Sequence, residues 1–388
     1  MRIGSTRKTI LRTAMTIAVV VGAVLAIFLS RTAGISYPRE RLAFETDSAI
    51  WRGVFHVHTA ASDGRGTIAV VVAAARASGA SWVVVADHNR VSEPRARIVD
   101  GVLLVFSPEV SAVDGHVTAL GASRALTRPE RRAKNALATI RSLGGTPVAA
   151  HPLGRRRPYV RLDDPLLGGM EIISADQEFR DALVSPFRLF PAALAFTVNQ
   201  QHALMRLLRR PARTLARWDQ LLAARPMPGF CSVDAHGLPS YTVMMSSLQM
   251  HAEVGHAPTA DAAADAAALV SALAGGRSFC GIEAIAGSGG FRFMGIDNSG
   301  GAGTSRELRL ERHPVLRVDL AYASRPRGAR PTLFCNGVEA RLTAGAAPRG
   351  WRYEYRPDRP GACRVEVSVD SDDGGAWPWI LSNPIYIR

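Results

Sequence analysis

The stretch GVFHVHTAASD, residues 53–63, is a short apolar run that ends in two histidines and is followed by an aspartate. Alternate side chains of a β-strand point to the same face, so His56 and His58 are expected to lie on one side of a strand end. Four other apolar runs end in a similar way, and their ranges are Trp82–Ala86, Val102–Phe106, Thr146–Ala150 and Phe230–Val233. Imidazoles and carboxylates that converge at strand ends can bind two or three divalent cations.

Several residues of metal-ligand type close or follow these runs. They are His56, His58, Asp63, His88, Glu109, His116, His151, Asp234 and His236. A lone H-x-H motif is weak evidence for a metal, and a lone buried histidine is usually a satisfied core residue. Recurrence of the pattern along one chain instead predicts a centre that holds more than one ion.

The composition indicates a large folded protein with a strong basic bias. The chain has 388 residues, 47% of them hydrophobic, which is enough for a large core and two domains. A formal net charge of +14 first suggests nucleic acid or anionic lipid as a partner. Because Lys8 and Lys134 are the only lysines, the arginine excess points to a GC-rich coding bias more than to a dedicated nucleic-acid surface.

The N-terminal region predicts a membrane anchor. Residues 13–30 carry no charge, and a helix of that length covers roughly 27 Å of the ~30 Å hydrocarbon core. Basic residues in the segment 1–12 favour a cytoplasmic N-terminus and a body outside the cytoplasm, in the periplasm or at the cell surface. A cleaved signal peptide is the alternative, although Arg31 interrupts the expected cleavage site. Residues 31–50 are expected to form a polar linker.

Between residues 51 and 286 short β-like runs alternate with helical stretches, which predicts an α/β fold with a parallel sheet or barrel. The expected helices are Thr67–Ser78, Pro129–Leu143 and Thr259–Ala274. Residues 176–229 form an insert that is too long for a simple connection and is expected to be helical. The insert either caps the mouth of the site or lies on the membrane as an amphipathic segment. Several of its arginines are expected to share one helix face.

The C-terminal region, residues 300–388, shows alternating strands between proline and glycine turns, which predicts a β-sandwich. Cys335 and Cys363 either form a disulfide bond in this region or remain buried thiols. Cys231 is expected to be packed without a partner.

The motifs that carry the ligand candidates have a characteristic order. Between Phe55 and Gly237 the chain reads HxHT with SDG, then DHN, PEV with GHxxALG, AHP and DAHG. In this order the motifs resemble the polymerase and histidinol phosphatase (PHP) family, in its branch of trinuclear metal-dependent phosphoesterases. The resemblance implies a distorted (β/α)7 barrel for residues 51–286, with two or three divalent ions, Mn, Zn or Fe, as cofactors.

The resemblance also implies a role for each ligand candidate. One ion would be held by His56, His58, Glu109 and Asp234, a second by Glu109, His116 and His151, and a third by Asp63, His88 and His236. The members expected to act directly in catalysis are Asp63, His88, Glu109, Asp234 and His236. Asp87 is expected to orient ligands from behind, and Glu171 is expected to be structural.

The implied activity is hydrolysis of phosphoesters by metal-activated hydroxide, on a small phosphorylated substrate outside the cytoplasm. Arg155, Arg156 and Arg277 are the candidates for phosphate binding; the alternatives are a solvated basic loop for the first two and a helix-end charge for the third. A nuclease acting on external DNA or RNA is a less favoured interpretation, because the insert offers few aromatic residues for stacking. A non-catalytic metal-binding module of the envelope is disfavoured by the complete ligand set.

Overall fold

The computed structural model describes residues 3–155, 157–182, 184–297, 307–371 and 374–388, and it shows a mixed α/β protein. Its helices are α1 (Ile3–Ala33), α2 (Ile68–Ser78), α3 (Arg128–Arg132), α4 (Ala136–Ser142), α5 (Ala175–Ala182), α6 (Pro186–Phe196), α7 (Gln200–Leu207), α8 (Ala212–Ala224), α9 (Tyr241–Ser247) and α10 (Ala262–Ala274), with a short 3₁₀ turn at Leu310–Arg312. The strands before residue 300 are β1 (Ile50–Val57), β2 (Trp82–Val85), β3 (Ala96–Val99), β4 (Val102–Phe106), β5 (Glu109–Ala112), β6 (Gly115–Leu120), β7 (Thr146–Ala149), β8 (Gly169–Ser174), β9 (Gly229–Ala235), β10 (Gln249–Glu253), β11 (Ser278–Gly281) and β12 (Phe291–Ile296). The later strands are β13 (Glu307–Leu308), β14 (Val315–Leu320), β15 (Arg330–Cys335), β16 (Val338–Ala340), β17 (Thr343–Gly345), β18 (Trp351–Tyr355), β19 (Gly361–Asp370), β20 (Ala376–Ser382) and β21 (Ile385–Ile387).

The strands of the first half form a closed sheet. Parallel pairing joins β4 to β2, β2 to β1, β1 to β9, β9 to β8 and β8 to β7. The antiparallel strands β6 and β5 follow β7, and a bridge between His88 and Glu109 links β5 to the segment after β2. Because the parallel strands run the same way, their carboxyl ends meet at one rim, as the sequence predicted for the ligand-bearing runs.

Local sequence explains where the helices of this half begin and end. Thr67 precedes α2, and Gly79 ends it with a φ of 72°, a left-handed conformation that suits glycine. The Asp261 side chain accepts hydrogen bonds from the first amides of α10. The single helix expected over 129–143 is instead two helices, α3 and α4, because the backbone at Ala133 is extended.

The C-terminal strands form two sheets. One is four-stranded, in the order β12-β14-β18-β17. The other contains β15, β19 and β20 and continues the barrel sheet, since β20 pairs with β11. Cys335 and Cys363 form a disulfide bond between β15 and β19. The C-terminal β-structure begins at β12, ahead of residue 300, and it is hydrogen-bonded to the barrel.

A second disulfide bond joins Cys231 to Cys280 and therefore links β9 to β11. The expectation that Cys231 is packed without a partner is wrong. The two cysteines are far apart in the sequence but lie on strands that face the same core, which sequence spacing alone could not reveal.

The insert is helical, as predicted, and consists of α5 to α8. Its arginines do not share one helix face: α7 ends at Leu207, and α8 starts at Ala212 after Pro211. Arg210 binds Glu366 of β19 through two hydrogen bonds of 2.6 and 2.7 Å. This pair holds the insert against the C-terminal sheet.

Helix α1 is exposed from Lys8 to Ile27 and becomes covered near its end, where Thr32 is buried; the part from Lys8 to Ala33 is long and apolar enough to cross a membrane. The segment after it, expected to be a linker, lies on the body of the protein. The Asn199 amide donates hydrogen bonds to the carbonyls of Thr32 and Ile35, at 3.1 and 2.8 Å. The amides of Arg39 and Glu40 donate to backbone carbonyls that follow β11.

Candidate metal centre

All of the predicted metal ligands lie together at the rim where the parallel strands end. His56, Asp234 and Glu109 belong to β1, β9 and β5, and the others lie on the adjoining strands or loops. A cavity opens over them, lined by Asp63, His88, Glu109, His116, His151, Gly154, Arg155, Asp176, Gln177, Arg180, Asp234 and His236. His56 and His58 form its buried floor, since both are fully shielded from solvent.

Glu109 is the central residue of the cluster and is 1% exposed. Its Oε1 lies 3.0 Å from His116 Nδ1 and 3.1 Å from His151 Nε2. Its Oε2 faces the other side, 3.0 Å from His88 Nδ1 and 3.5 Å from His58 Nε2. A carboxylate with imidazoles around both oxygens can bridge neighbouring cations.

Two further carboxylates complete the cluster. Asp234 Oδ1 lies 3.2 Å from His58 Nε2 and 3.4 Å from His56 Nε2. Asp63, which is half exposed, places its oxygens 3.4 Å from nitrogens of His58, His88 and His236. Asp234 and Asp63 therefore approach different nitrogens of the His58 ring, and Asp63 also contacts His88 and His236.

The backbone is strained at three of these residues. His56, His151 and Asp234 have φ angles of 70°, 32° and 48°, in the left-handed region that non-glycine residues rarely adopt. The pairing register of β1 with β9 shifts between Phe55 and Val57, on either side of His56. Such strain persists where the surrounding structure imposes it, and it concentrates at functional sites. Simple strand alternation therefore predicted the convergence of the histidines but not the backbone that produces it.

Glu171 supports two of the histidines and is almost fully buried. One of its oxygens lies 2.5 Å from His56 Nδ1, and the other accepts the backbone amide of His151 at 2.7 Å. This contact directs His56 Nε2 toward Glu109 and Asp234, as carboxylates that hold metal-ligating histidines do. The expectation of a merely structural role for Glu171 missed this contact.

Asp87 supports the loop that carries Asp63. It accepts hydrogen bonds from the Thr59 amide and hydroxyl, both at 2.7 Å, and from the Ser62 hydroxyl at 2.6 Å. The prediction that Asp87 orients ligands from behind agrees with this geometry.

Burial and neighbouring charges act in opposite directions on the pKa values of the central groups. Burial opposes ionisation of Glu109, but the surrounding histidines, His56 first, outweigh burial and hold its pKa well below the usual range. Burial likewise disfavours a charged His56, yet nearby carboxylates, led by Glu171, raise its pKa well above normal. For His58, burial prevails and lowers the pKa, which favours the neutral imidazole that metals require.

The residues present fit divalent metal ions. Three overlapping groups bring their ligand atoms within 4.8 Å of one another: His58, Asp63, His88 and His236; His56, His58 and Glu109; and His88, Glu109 and His116. Within the described residues, the buried Nδ1 atom of His58 has no hydrogen-bond partner, and the nearest oxygen of Asp63 lies 3.4 Å from it. Buried polar atoms are normally satisfied, so this nitrogen is available to an ion.

The predicted phosphate-binding arginines are not brought together. Arg155 lines the cavity and donates to Asp181 at 3.0 Å. Arg156 lies outside the described residues. Arg277 is absent from the cavity lining; its backbone pairs with Glu253, near the start of β1, and its side chain contacts Ser271. The structure therefore separates Arg277 from the cluster.

Helix α5 contributes cavity residues that the sequence did not reveal, namely Asp176, Gln177 and Arg180. Arg180 is hydrogen-bonded to Asp176. Burial, followed by the charge of Asp234, raises the pKa of Asp176 to about 6. Their i, i+4 spacing in α5 was visible in the sequence, but the position of this helix over the metal ligands was not.

Comparisons with known proteins find similarity at the level of solved structures. No family model matches the chain, and no curated protein matches it. Among solved structures, the chain is similar to a two-domain protein from Bacteroides vulgatus that contains a predicted PHP-like metal-dependent phosphoesterase. The TM-score is 0.39 and the identity 12%, over 88% of this chain and 98% of the other.

Proposed function

We propose that this protein is a metal-dependent phosphoesterase of the PHP type, in which residues 51–286 form the (β/α)7 barrel and the C-terminal sheets a β-sandwich. The observation that carries the proposal is the arrangement of imidazoles and carboxylates around the buried Glu109. A centre of this kind suits two or three ions of Mn, Zn or Fe. The proposed catalytic residues are Asp63, His88, Glu109, Asp234 and His236.

Each proposed ion has its own set of ligands, with Glu109 shared between two. The first set is His56, His58, Glu109 and Asp234; the second is Glu109, His116 and His151; the third is Asp63, His88 and His236. The measured distances support these sets, since every member lies within 4 Å of another member of its own set.

The ions, when bound, would supply hydroxide at neutral pH and positive charge for the phosphoryl oxygens. The protein contributes orientation: Glu171 fixes His56, and Asp87 fixes the loop that carries Asp63. Arg155 and Arg180 place guanidinium groups at the cavity, where they suit the binding of a phosphate. Their carboxylate partners on α5 hold these groups in position.

A nuclease is less well supported. The described residues that line the cavity include no phenylalanine, tyrosine or tryptophan on which a base could stack. A phosphate ester without extended nucleic acid is the better fit to this lining.

We propose that the protein is anchored to a membrane by α1 and that the rest of it lies outside the cytoplasm. Two disulfide bonds support an oxidising compartment. A reporter fused after Arg388 should be active only outside the cytoplasm, and activity inside it would contradict this topology.

The test of the function uses the purified full-length protein loaded with Mn, Zn or Fe. Hydrolysis of p-nitrophenyl phosphate and bis-p-nitrophenyl phosphate is measured together with bound metal. His58→Ala and Asp234→Ala should abolish hydrolysis and release metal, because each removes a ligand from the buried floor. His313→Asn, a matched change at an exposed histidine in the C-terminal half, should retain both. Wild-type rates in the two ligand variants would show that the assigned centre is wrong.

A further inference from the structure

Two exposed apolar side chains follow metal-ligand candidates at the mouth of the cavity. Leu153 is 38% exposed and Leu238 is 47% exposed, and they come two residues after His151 and His236. Leu153 holds a φ of 65°, a left-handed conformation that non-glycine residues rarely adopt. Both side chains therefore leave a large part of their apolar surface to solvent.

The same apolar surface continues along the insert. Helix α5 lines the cavity, and the residues just beyond it include Val184, which is 57% exposed. Phe187 and Phe190 on α6 are 94% and 67% exposed. Val184 and Leu153 line a common pocket, which shows that the two parts of the surface are adjacent. These residues, Leu153, Val184, Phe187, Phe190 and Leu238, are called the apolar rim.

Basic side chains accompany the apolar rim. Arg155, Arg188 and Arg213 line the pocket shared by Leu153 and Val184. Arg155 donates to Asp181 there, and Arg188 donates to Glu178 and to the carbonyl of Leu207. Apolar and aromatic residues beside basic ones are typical of surfaces that lie in the interface of an anionic bilayer.

The position of α1 indicates what covers the rim. The end of α1 contacts α6, and Asn199, just beyond α6, is hydrogen-bonded to the carbonyls of Thr32 and Ile35. Gln200 of α7 in turn accepts the amide of Ser240, in the loop that carries His236 and Leu238. A bilayer crossed by α1 would therefore begin next to the helix that carries the exposed phenylalanines and on the cavity side of the barrel.

We propose that the apolar rim docks on the bilayer that holds α1, and that the cavity hydrolyses phosphate monoesters on lipid headgroups at that surface. This inference rests on the proposed phosphoesterase function and adds its substrate class. Water would add to the phosphorus atom, the ester P–O bond would break, and the lipid alcohol would leave with a proton from that water. Inorganic phosphate is the second product.

Docking is tested with the full-length protein in phosphatidylcholine vesicles that contain phosphatidic acid and brominated acyl chains. Phe187→Trp and Phe190→Trp add a fluorophore to the rim, and the wild-type tryptophans give the baseline. Brominated lipid should quench the added emission in both variants. Val338→Trp, at a 59% exposed position of β16, is the control and should not be quenched. Equal quenching, or none, at all three positions would overturn the docking.

The substrate class is tested with the double variant Phe187→Ser and Phe190→Ser, whose two positions lie outside the cavity lining. Hydrolysis of phosphatidic acid in the vesicles should fall about tenfold, since each lost aromatic weakens surface partitioning. Hydrolysis of dissolved p-nitrophenyl phosphate should stay at the wild-type rate. Equal losses on both substrates, or wild-type rates on both, would contradict the proposal.

Different results would overturn the phosphoesterase function and the lipid substrate. A metal-loaded wild type that cleaves neither substrate overturns the phosphoesterase function, whatever the quenching shows. A wild type that cleaves only the dissolved ester retains that function and overturns the lipid substrate.

Discussion

Glu171 shows how a single residue can control metal binding without touching an ion. Its two oxygens hold the ring of His56 and the backbone of His151, which belong to different proposed ligand sets. We expect Glu171→Gln to weaken metal binding about 10- to 100-fold. The glutamine side chain has one acceptor oxygen in place of two, so it would misdirect one of the two histidines. Bound metal is measured in competition with a chelator of known affinity.

The control for this change is Glu339→Gln, which alters an exposed glutamate of β16. It should bind metal as the wild type does. An unchanged affinity in Glu171→Gln would mean that the surrounding backbone alone positions both histidines.

At the residue scale the sequence predicted which imidazoles and carboxylates would lie together, because the identity of these residues is local and strand ends meet at one rim. The supporting residues were harder to predict. Glu171 lies on β8, and its partners come from β1 and from the segment after β7, so its role exists only in the folded state. For Arg277 the sequence suggested a role in phosphate binding, but the fold places this residue near the start of β1.

At the scale of elements, the contact between α7 and the segment after α1 includes one buried histidine. His202 is 6% exposed, and its Nδ1 lies 2.9 Å from the Tyr37 hydroxyl. Burial, together with the charges of Arg206 and Arg39, lowers the pKa of His202 to about 4. The unfolded chain takes up a proton near pH 6.5, whereas the folded chain does so only near pH 4.

Lowering the pH through this window should therefore destabilise the protein. The contribution of a neutral His202 is fully present above pH 6.5 and is lost toward pH 4, at no more than about 1.4 kcal/mol per pH unit for one proton. Thermal unfolding of the wild type and His202→Gln is compared from pH 4 to pH 7. The melting temperature of the wild type should fall more steeply, and parallel curves would exclude His202 as the cause.

The helices themselves were predicted more accurately than the residues that they contact. Helical periodicity identified α2, the whole of α10, whose start was expected three residues early, and the helical nature of the insert, since it reflects neighbours three or four residues apart. The predicted stripe of arginines was wrong because Pro211 begins a new helix, and the partners of these arginines lie on distant elements. Arg217, for example, pairs with Asp163 at 2.5 Å.

On the scale of the whole molecule, the barrel and the C-terminal sheets are joined by a buried ionic network. Arg364 is 1% exposed, donates to both oxygens of Asp219 in α8 at 2.7 and 2.8 Å, and also binds Glu366. Removing one partner of a buried pair leaves an uncompensated charge and costs about 3–5 kcal/mol. We expect Asp219→Ala to lower the free energy of unfolding by about that amount.

Denaturant unfolding, followed by both tryptophan fluorescence and circular dichroism, measures this effect. Asp163→Ala, which removes the exposed partner of Arg217, is the control and should cost less than about 1 kcal/mol. The wild type should unfold in one transition. Separate transitions for the two halves would contradict the joined architecture.

The predicted boundary at residue 300 illustrates why contacts between distant parts of the chain cannot be predicted from a single sequence. The composition changes at that point, but hydrogen bonds connect the regions on either side of it. Asn383 binds both the amide and the carbonyl of Gly229 at the start of β9. Such pairings join residues more than a hundred positions apart, and no local pattern records them.

The segment that follows α1 is hydrogen-bonded to the body at Arg39 and Glu40, and the backbone of Ala43 accepts the amide of Ala323. Where α1 is embedded in a bilayer, this attachment holds the cavity at a fixed height above the lipid. For the proposed lipid substrate, encounters would then depend on lateral diffusion in two dimensions. Turnover would follow the number of substrate molecules per unit area, and diluting the surrounding fluid would leave it unchanged.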